Sequence, residues 1–154
     1  MFGAVEPKAG RHFTTATSDR CAYQFARLVG DIVDQYPFAR TIHLVLDNLN
    51  IHCGKSLVGY YGEQEGGYLW NRLTVHYTPK HGSWLNQAEI ELSLFSRQCL
   101  GKRRIPDLEM LQRETQAWNR QANRERTKIN WRFTRRKARK LFHYNKPAPG
   151  RVES

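Results

Sequence analysis

Residues 41–46 read Thr-Ile-His-Leu-Val-Leu and stop at Asp47-Asn48, and this junction limits the possible architecture more than any other segment. A short run that is β-branched and apolar predicts a strand buried on both faces. A second run of the same kind, LTVHY at 73–77, is halted by Thr78-Pro79. Residues 55–72 between them predict a helix, although Gly59, Gly62, Gly66 and Gly67 interrupt its pattern. Two strands joined through a helix predict a parallel pair, and ligands in such sheets sit at the carboxyl ends of the strands. Asp47 is therefore the first residue to consider.

The remaining chain supports an α/β fold. Residues 1–5 predict a strand ended by Glu6-Pro7, and the Thr-rich stretch 11–17 predicts its antiparallel hairpin partner. Ser18-Asp19 offers a helix cap, after which Ala22, Phe25, Ala26, Leu28, Val29, Ile32 and Val33 recur at helical spacing up to Tyr36-Pro37. Residues 86–100 predict a helix with Leu85, Ala88, Leu92, Phe95 and Cys99 in one stripe. A last helix over 106–123 places Pro106 in its first turn and Leu108, Leu111, Thr115 and Trp118 on one face. The order ββαβαβαα predicts parallel strands beside an antiparallel hairpin, in a domain over 1–123 followed by a basic extension over 124–154.

Charge is divided unevenly between the two ends. Residues 1–90 hold eight Lys/Arg and eight Asp/Glu, so the whole net charge of +11 lies in residues 91–154. A balanced front suits an acidic catalytic centre, and a basic rear asks for an anionic partner. The longest apolar runs fall far short of the roughly 20 residues of a membrane span, and residues 1–10 lack an apolar signal-peptide core. Three well-separated cysteines, Cys21, Cys53 and Cys99, argue against a disulfide framework and for a reducing compartment.

A carboxylate held at the end of a buried strand can coordinate Mg²⁺, while the same Asp47-Asn48 pair also suits a turn or a helix cap. Metal-dependent phosphoryl chemistry needs further carboxylates. Glu89 and Glu91 lie on opposite borders of the apolar stripe of their helix, so only one can face Asp47, and periodicity does not choose between them. His52, five residues past Asp47, could support the site or serve packing alone. His43, His52, His76, His81 and Cys53 show none of the paired ligand spacings of structural zinc. No glycine-rich phosphate loop is present. Arg132, Arg135, Arg136, Lys137, Arg139 and Lys140, interleaved with Trp131, Phe133 and Phe142, suit contact with nucleic-acid phosphates and bases. A solvated helix face is the plainer account of the same charges.

Four segments together carry a resemblance: LVLDNLNIH (44–52), HYTPKHGSWLNQAEIELSLFSRQCL (76–100), RRIPDLEMLQRETQAWNRQAN (103–123) and INWRFTRRKARKL (129–141). They resemble the catalytic domain of Tc/mariner-superfamily DDE transposases, more narrowly those of bacterial insertion sequences, from Met1 to about Leu141. The resemblance implies a ribonuclease H-like mixed sheet flanked by helices. It assigns the second family Asp to Asp47 and the family Glu to Glu89, which decides against Glu91, with 41 residues between the two. It also implies two Mg²⁺ or Mn²⁺ ions, DNA cleavage at transposon ends and strand transfer into target DNA. Asn48 and His52 become site support, and Ser83, Trp84 and Asn86 set the entry of the helix. The family's first catalytic Asp and its DNA-reading helix-turn-helix belong upstream of residue 1. The expected partners are therefore DNA, an N-terminal transposase portion and a second copy of the chain. The expected setting is the bacterial cytoplasm. A non-catalytic DNA-binding remnant is the alternative.

Overall fold

The computed structural model describes residues 1–79, 86–128, 134, 136, 137 and 140. Strands β1 (Phe2–Glu6) and β2 (Arg11–Thr15) form an antiparallel hairpin in the register Phe2↔Thr15 to Glu6↔Arg11. Helix α1 (Ala22–Asp34) buries Phe25, Ala26, Leu28, Val29, Ile32 and Val33, the stripe its periodicity predicts. Its start differs from expectation. Cys21, not Ser18-Asp19, occupies the cap position, because Thr17 turns the preceding loop by donating its hydroxyl to the Asp19 carbonyl.

Strand β3 (Ile42–Leu46) pairs in parallel with β4 (Leu73–Tyr77), from Ile42↔Leu73 to Leu46↔Tyr77. Ile42, Leu44 and Leu46 pack into the same core as α1, together with Phe2 of the hairpin. The expectation of burial on both faces fails: Val45 is 52% exposed, and His43 is exposed beside it. That second face is uncovered among the described residues, and His43 Nδ1 lies 3.0 Å from His76 Nε2 across it. The parallel pair and the hairpin are thus both present, but as two separate two-stranded sheets rather than one continuous sheet. This is a mixed α/β arrangement of small sheets flanked by helices, consistent with a ribonuclease H-like fold.

The helix expected over 55–72 is two helices, α2 (Gly54–Tyr61) and α3 (Glu63–Asn71). Gly62 separates them with φ +85°, a conformation that L side chains rarely adopt. Gly66 then lets the pair close, since a Cβ there would stand 2.6 Å from the backbone of Leu57 and Val58. Gly66→Ala is accordingly expected to cost about 1–3 kcal/mol despite its better helix propensity. Urea unfolding checks this against Gly59→Ala, where the added methyl meets nothing within 4 Å and should be neutral or stabilising.

Helix α4 (Ala88–Phe95) runs on into a π-helical turn over Ser96–Leu100, so the stretch expected as helix keeps its length while its last turn widens. Phe95 and Cys99 of the expected stripe are buried, whereas Leu85 lies outside the described residues. Helix α5 (Leu108–Glu125) is capped by Asp107, whose side chain accepts the Met110 N–H at 2.7 Å, so Pro106 precedes the cap instead of opening the first turn. Thr115 and Trp118 are buried as their face predicts, with Phe95, Cys99, Trp118 and Ala122 forming a second core.

On another face, α5 lays amide side chains along the outer edge of β2. Asn123 bonds both the N–H and the carbonyl of His12, at 2.7 and 3.0 Å. Asn119 does the same for Thr14, at 3.2 and 2.6 Å, and Gln112 donates to the Ala16 carbonyl. One turn of helix advances nearly as far as two strand residues, which is why positions four apart on α5 meet positions two apart on β2. No described helix is long and apolar enough to cross a membrane.

Candidate active site

Asp47 follows the last residue of β3, at the carboxyl end of the parallel pair. Two bonds hold that end in place. Thr78 N–H donates to the Leu46 carbonyl at 2.8 Å, and the Asn48 side-chain amide donates to the Thr78 carbonyl. Tyr77 at the end of β4 donates its hydroxyl to the His52 carbonyl at 2.7 Å, which ties the loop after Asp47 to the neighbouring strand. The His52 ring lies over Phe25 of α1 with centroids 4.6 Å apart. Asp47, Asn48 and His52 are thus brought together by the fold.

Asp47 Oδ1 pairs with His52 Nδ1 at 2.5 Å. Both atoms are buried, and among the described residues neither has another partner. An imidazole with its hydrogen on Nδ1 can donate to this carboxylate oxygen. The Asp47 side chain as a whole keeps 40% of its exposure, so it is reachable from solvent. A reachable carboxylate at the end of a strand fits the hard oxygen ligation of a divalent ion.

The start of α4 stands across the same opening. Asn86, Gln87 and Ala88 line a cleft of about 260 Å³ with Leu46 and His52, and Asn86 Oδ1 accepts the Ala88 N–H at 3.1 Å as a helix entry should. Glu89 follows in the first turn and is exposed. Among the described residues, no three His, Cys, Asp or Glu side chains converge closely enough to hold a metal ion. Ser83, Trp84 and His81 lie outside the described residues.

Glu91 points elsewhere. It is fully buried, with its carboxylate oxygens 2.7 and 2.8 Å from His12 Nδ1 and a further bond from the Thr14 hydroxyl at 3.1 Å. His12 Nε2 meets the Thr127 carbonyl at 2.9 Å, and its ring stands edge-on to Trp118. Burial by itself would push the His12 pKa down. The hydrogen bond and the charge of Glu91, with the Thr127 carbonyl, outweigh it and hold His12 above its ordinary value. This pair joins β2, α4 and the stretch that follows α5. His12 is the residue that sequence reasoning missed. Its signal is the alternation His12-Phe13-Thr14, which puts two polar side chains on one face of a strand.

Of the basic residues singled out, Arg136, Lys137 and Lys140 are exposed and helical. Arg132, Arg135 and Arg139 lie outside the described residues.

No curated protein and no solved structure matches the chain. The family model described as DDE superfamily endonuclease matches residues 1–112, which covers both sheets, the Asp47 junction, α4 and the first turn of α5. With most of its length in that match, the chain belongs to the DDE superfamily of endonucleases.

Proposed function

We propose that the chain supplies part of the catalytic site of a transposase, of the Tc/mariner type found in bacterial insertion sequences, that cuts DNA and transfers the cut strand. DNA is the substrate its family implies, and divalent metal ions are in general use there. The observation that carries the proposal is the solvent-reachable carboxylate of Asp47 at the carboxyl end of β3. Asp47 and Glu89 would hold Mg²⁺ or Mn²⁺, and a first carboxylate from a preceding strand would complete the set. Bound divalent ions supply Lewis acidity to the attacking and leaving oxygens of a phosphodiester. Asn48 keeps the Asp47 backbone fixed to β4, and His52 restrains its carboxylate. The extension over 124–154, with Arg132, Arg135, Arg136, Lys137, Arg139 and Lys140, holds the DNA backbone in the cytoplasm of a bacterial cell.

Nicking of supercoiled DNA with and without Mn²⁺, by the chain joined to the portion that carries the first carboxylate, tests this. Ion-dependent nicking that disappears in Asp47→Asn is the expected outcome. DNA binding with no nicking under any ion favours the second reading, a non-catalytic DNA-binding remnant. That reading draws on a specific observation: no third metal-ligating side chain joins Asp47 and His52 among the described residues.

Both readings share one prediction. Binding should weaken with salt, because phosphate contacts release counterions. Replacing Arg136, Lys137 and Lys140 together by alanine should reduce the slope of log affinity against log salt by about 2–3, at roughly 0.9 per lost contact. Fluorescence anisotropy on an arbitrary duplex measures it, and an unchanged slope would remove the extension from the interface.

A further inference from the structure

The parallel register of β3 and β4 sets His43 beside Thr74 and Val45 beside His76. Alternate residues of a strand share a face, so these four stand opposite Ile42, Leu44, Leu73 and Val75, which pack into the core with α1. On that outer face Thr41 Oγ1 lies 2.9 Å from Thr74 Oγ1, and one step along His43 Nδ1 lies 3.0 Å from His76 Nε2. The two imidazole planes are inclined by only 19°, with ring centres 5.3 Å apart. The rings therefore meet edge to edge through these two nitrogens.

Two facing imidazole nitrogens either share one hydrogen or aim two lone pairs at one ion. The shared hydrogen alone contributes little to the fold, because at an exposed site water can replace either ring. The spacing suits an ion. Bound to both nitrogens at about 2.0–2.1 Å, an ion would subtend an angle of about 95° across the 3.0 Å between them. That is close to the right angle of the tetragonal sites that copper(II) and nickel(II) take with nitrogen ligands. Both rings are exposed, so they have room to swing their lone pairs off the line that joins them. Val45, beside His76, is 52% exposed, which opens the other coordination positions to water. Among the described residues neither imidazole pairs with a carboxylate, whereas His12 and His52 both do.

We propose that His43 and His76 form a two-nitrogen site for a late first-row divalent ion, copper(II) above all, on the outer face of the parallel pair. His43 Nδ1 and His76 Nε2 are the ligands. The ring whose facing nitrogen carries hydrogen moves it to its other nitrogen on binding, so both offer lone pairs. The site is separate from Asp47. His43 precedes Asp47 by four positions, about 13 Å of extended chain. Carboxylate oxygen suits Mg²⁺ and Mn²⁺, whereas imidazole suits the later ions. Occupancy of the pair is therefore independent of DNA cleavage. A bound ion also ties β3 to β4 by side chains, in addition to their backbone ladder.

Titration of the intact chain with Cu²⁺ tests the site, followed by electron paramagnetic resonance and by thermal unfolding. A nitrogen hyperfine pattern from two imidazoles and a raised unfolding midpoint are expected at the first equivalent. His43→Asn and His76→Gln each keep a polar side chain but remove the chelate. Either should weaken the tightest Cu²⁺ site at least about tenfold, since the second ligand then no longer acts within the same molecule. Circular dichroism reports whether the variants are folded. The spectrum and a competition with roughly hundredfold excess Mg²⁺ are read on the unaltered chain, and so decide the matter even if a variant does not fold. Mg²⁺ should not displace the copper, and Asp47→Asn should retain the site. Unchanged affinity in either folded variant, hyperfine splitting from a single nitrogen, or displacement by Mg²⁺ would overturn the proposal. Loss of the site in Asp47→Asn would do so too, assigning the ion to Asp47 and His52 instead.

Discussion

Glu91→Ala should lower stability by about 3–5 kcal/mol, the range for removing one partner of a buried ion pair. His12 and Glu91 both have side chains wholly shielded from solvent, and alanine would strand the imidazole and the Thr14 hydroxyl together. Three elements meet at this pair, so the loss should appear as one cooperative shift of the urea midpoint. The pH dependence has a fixed sign. The fold holds His12 above its ordinary value, so the protonated form binds more tightly in the native state than in the unfolded chain. That contribution is complete below about 6.5, the unfolded value, and is lost as pH rises through the higher folded value. Thermal stability should therefore decline on the alkaline side of about 6.5, and Glu91→Gln should flatten the decline. If Glu91→Gln abolishes DNA cleavage while leaving stability and its pH profile untouched, the assignment of the family Glu to Glu89 fails.

Asp47→Asn should do the opposite, with a large effect on chemistry and a small one on folding. Among the described residues its one side-chain partner is His52, and the side chain keeps 40% of its exposure. The stability change should stay within about 0.5 kcal/mol. Cleavage should fall by at least about a hundredfold, because an amide cannot supply the negative charge that holds a divalent ion. Mn²⁺ affinity followed by electron paramagnetic resonance gives an independent readout. Unaltered nicking, or a stability loss comparable to that of Glu91→Ala, would mark Asp47 as a structural residue.

These two carboxylates also show what a linear sequence can convey. Asp47 is legible because it follows a contiguous apolar run, and the end of such a run is a local property. Glu91 is not, because its partner His12 lies 79 positions away, and the helix stripe treats Glu89 and Glu91 as equivalent flanks. The same limit explains the helices. Periodicity finds α1, α4 and α5, but the break at Gly62 depends on a backbone angle and not on a pattern. The Asp107 cap and the position of Pro106 follow from one side-chain bond, which composition cannot order among several candidates. Whether His43 and Val45 are covered depends on layers the chain does or does not place over β3, and an apolar run is silent on that.

The amide ladder of α5 on β2 has a consequence for assembly. In the language of polymers, an open sheet edge is a growing end, and repeated addition of strands there leads to fibres. Asn119 and Asn123 act as terminators at β2, since each occupies a donor and an acceptor that another strand would need. At the β2 edge, sheet extension is thereby closed off.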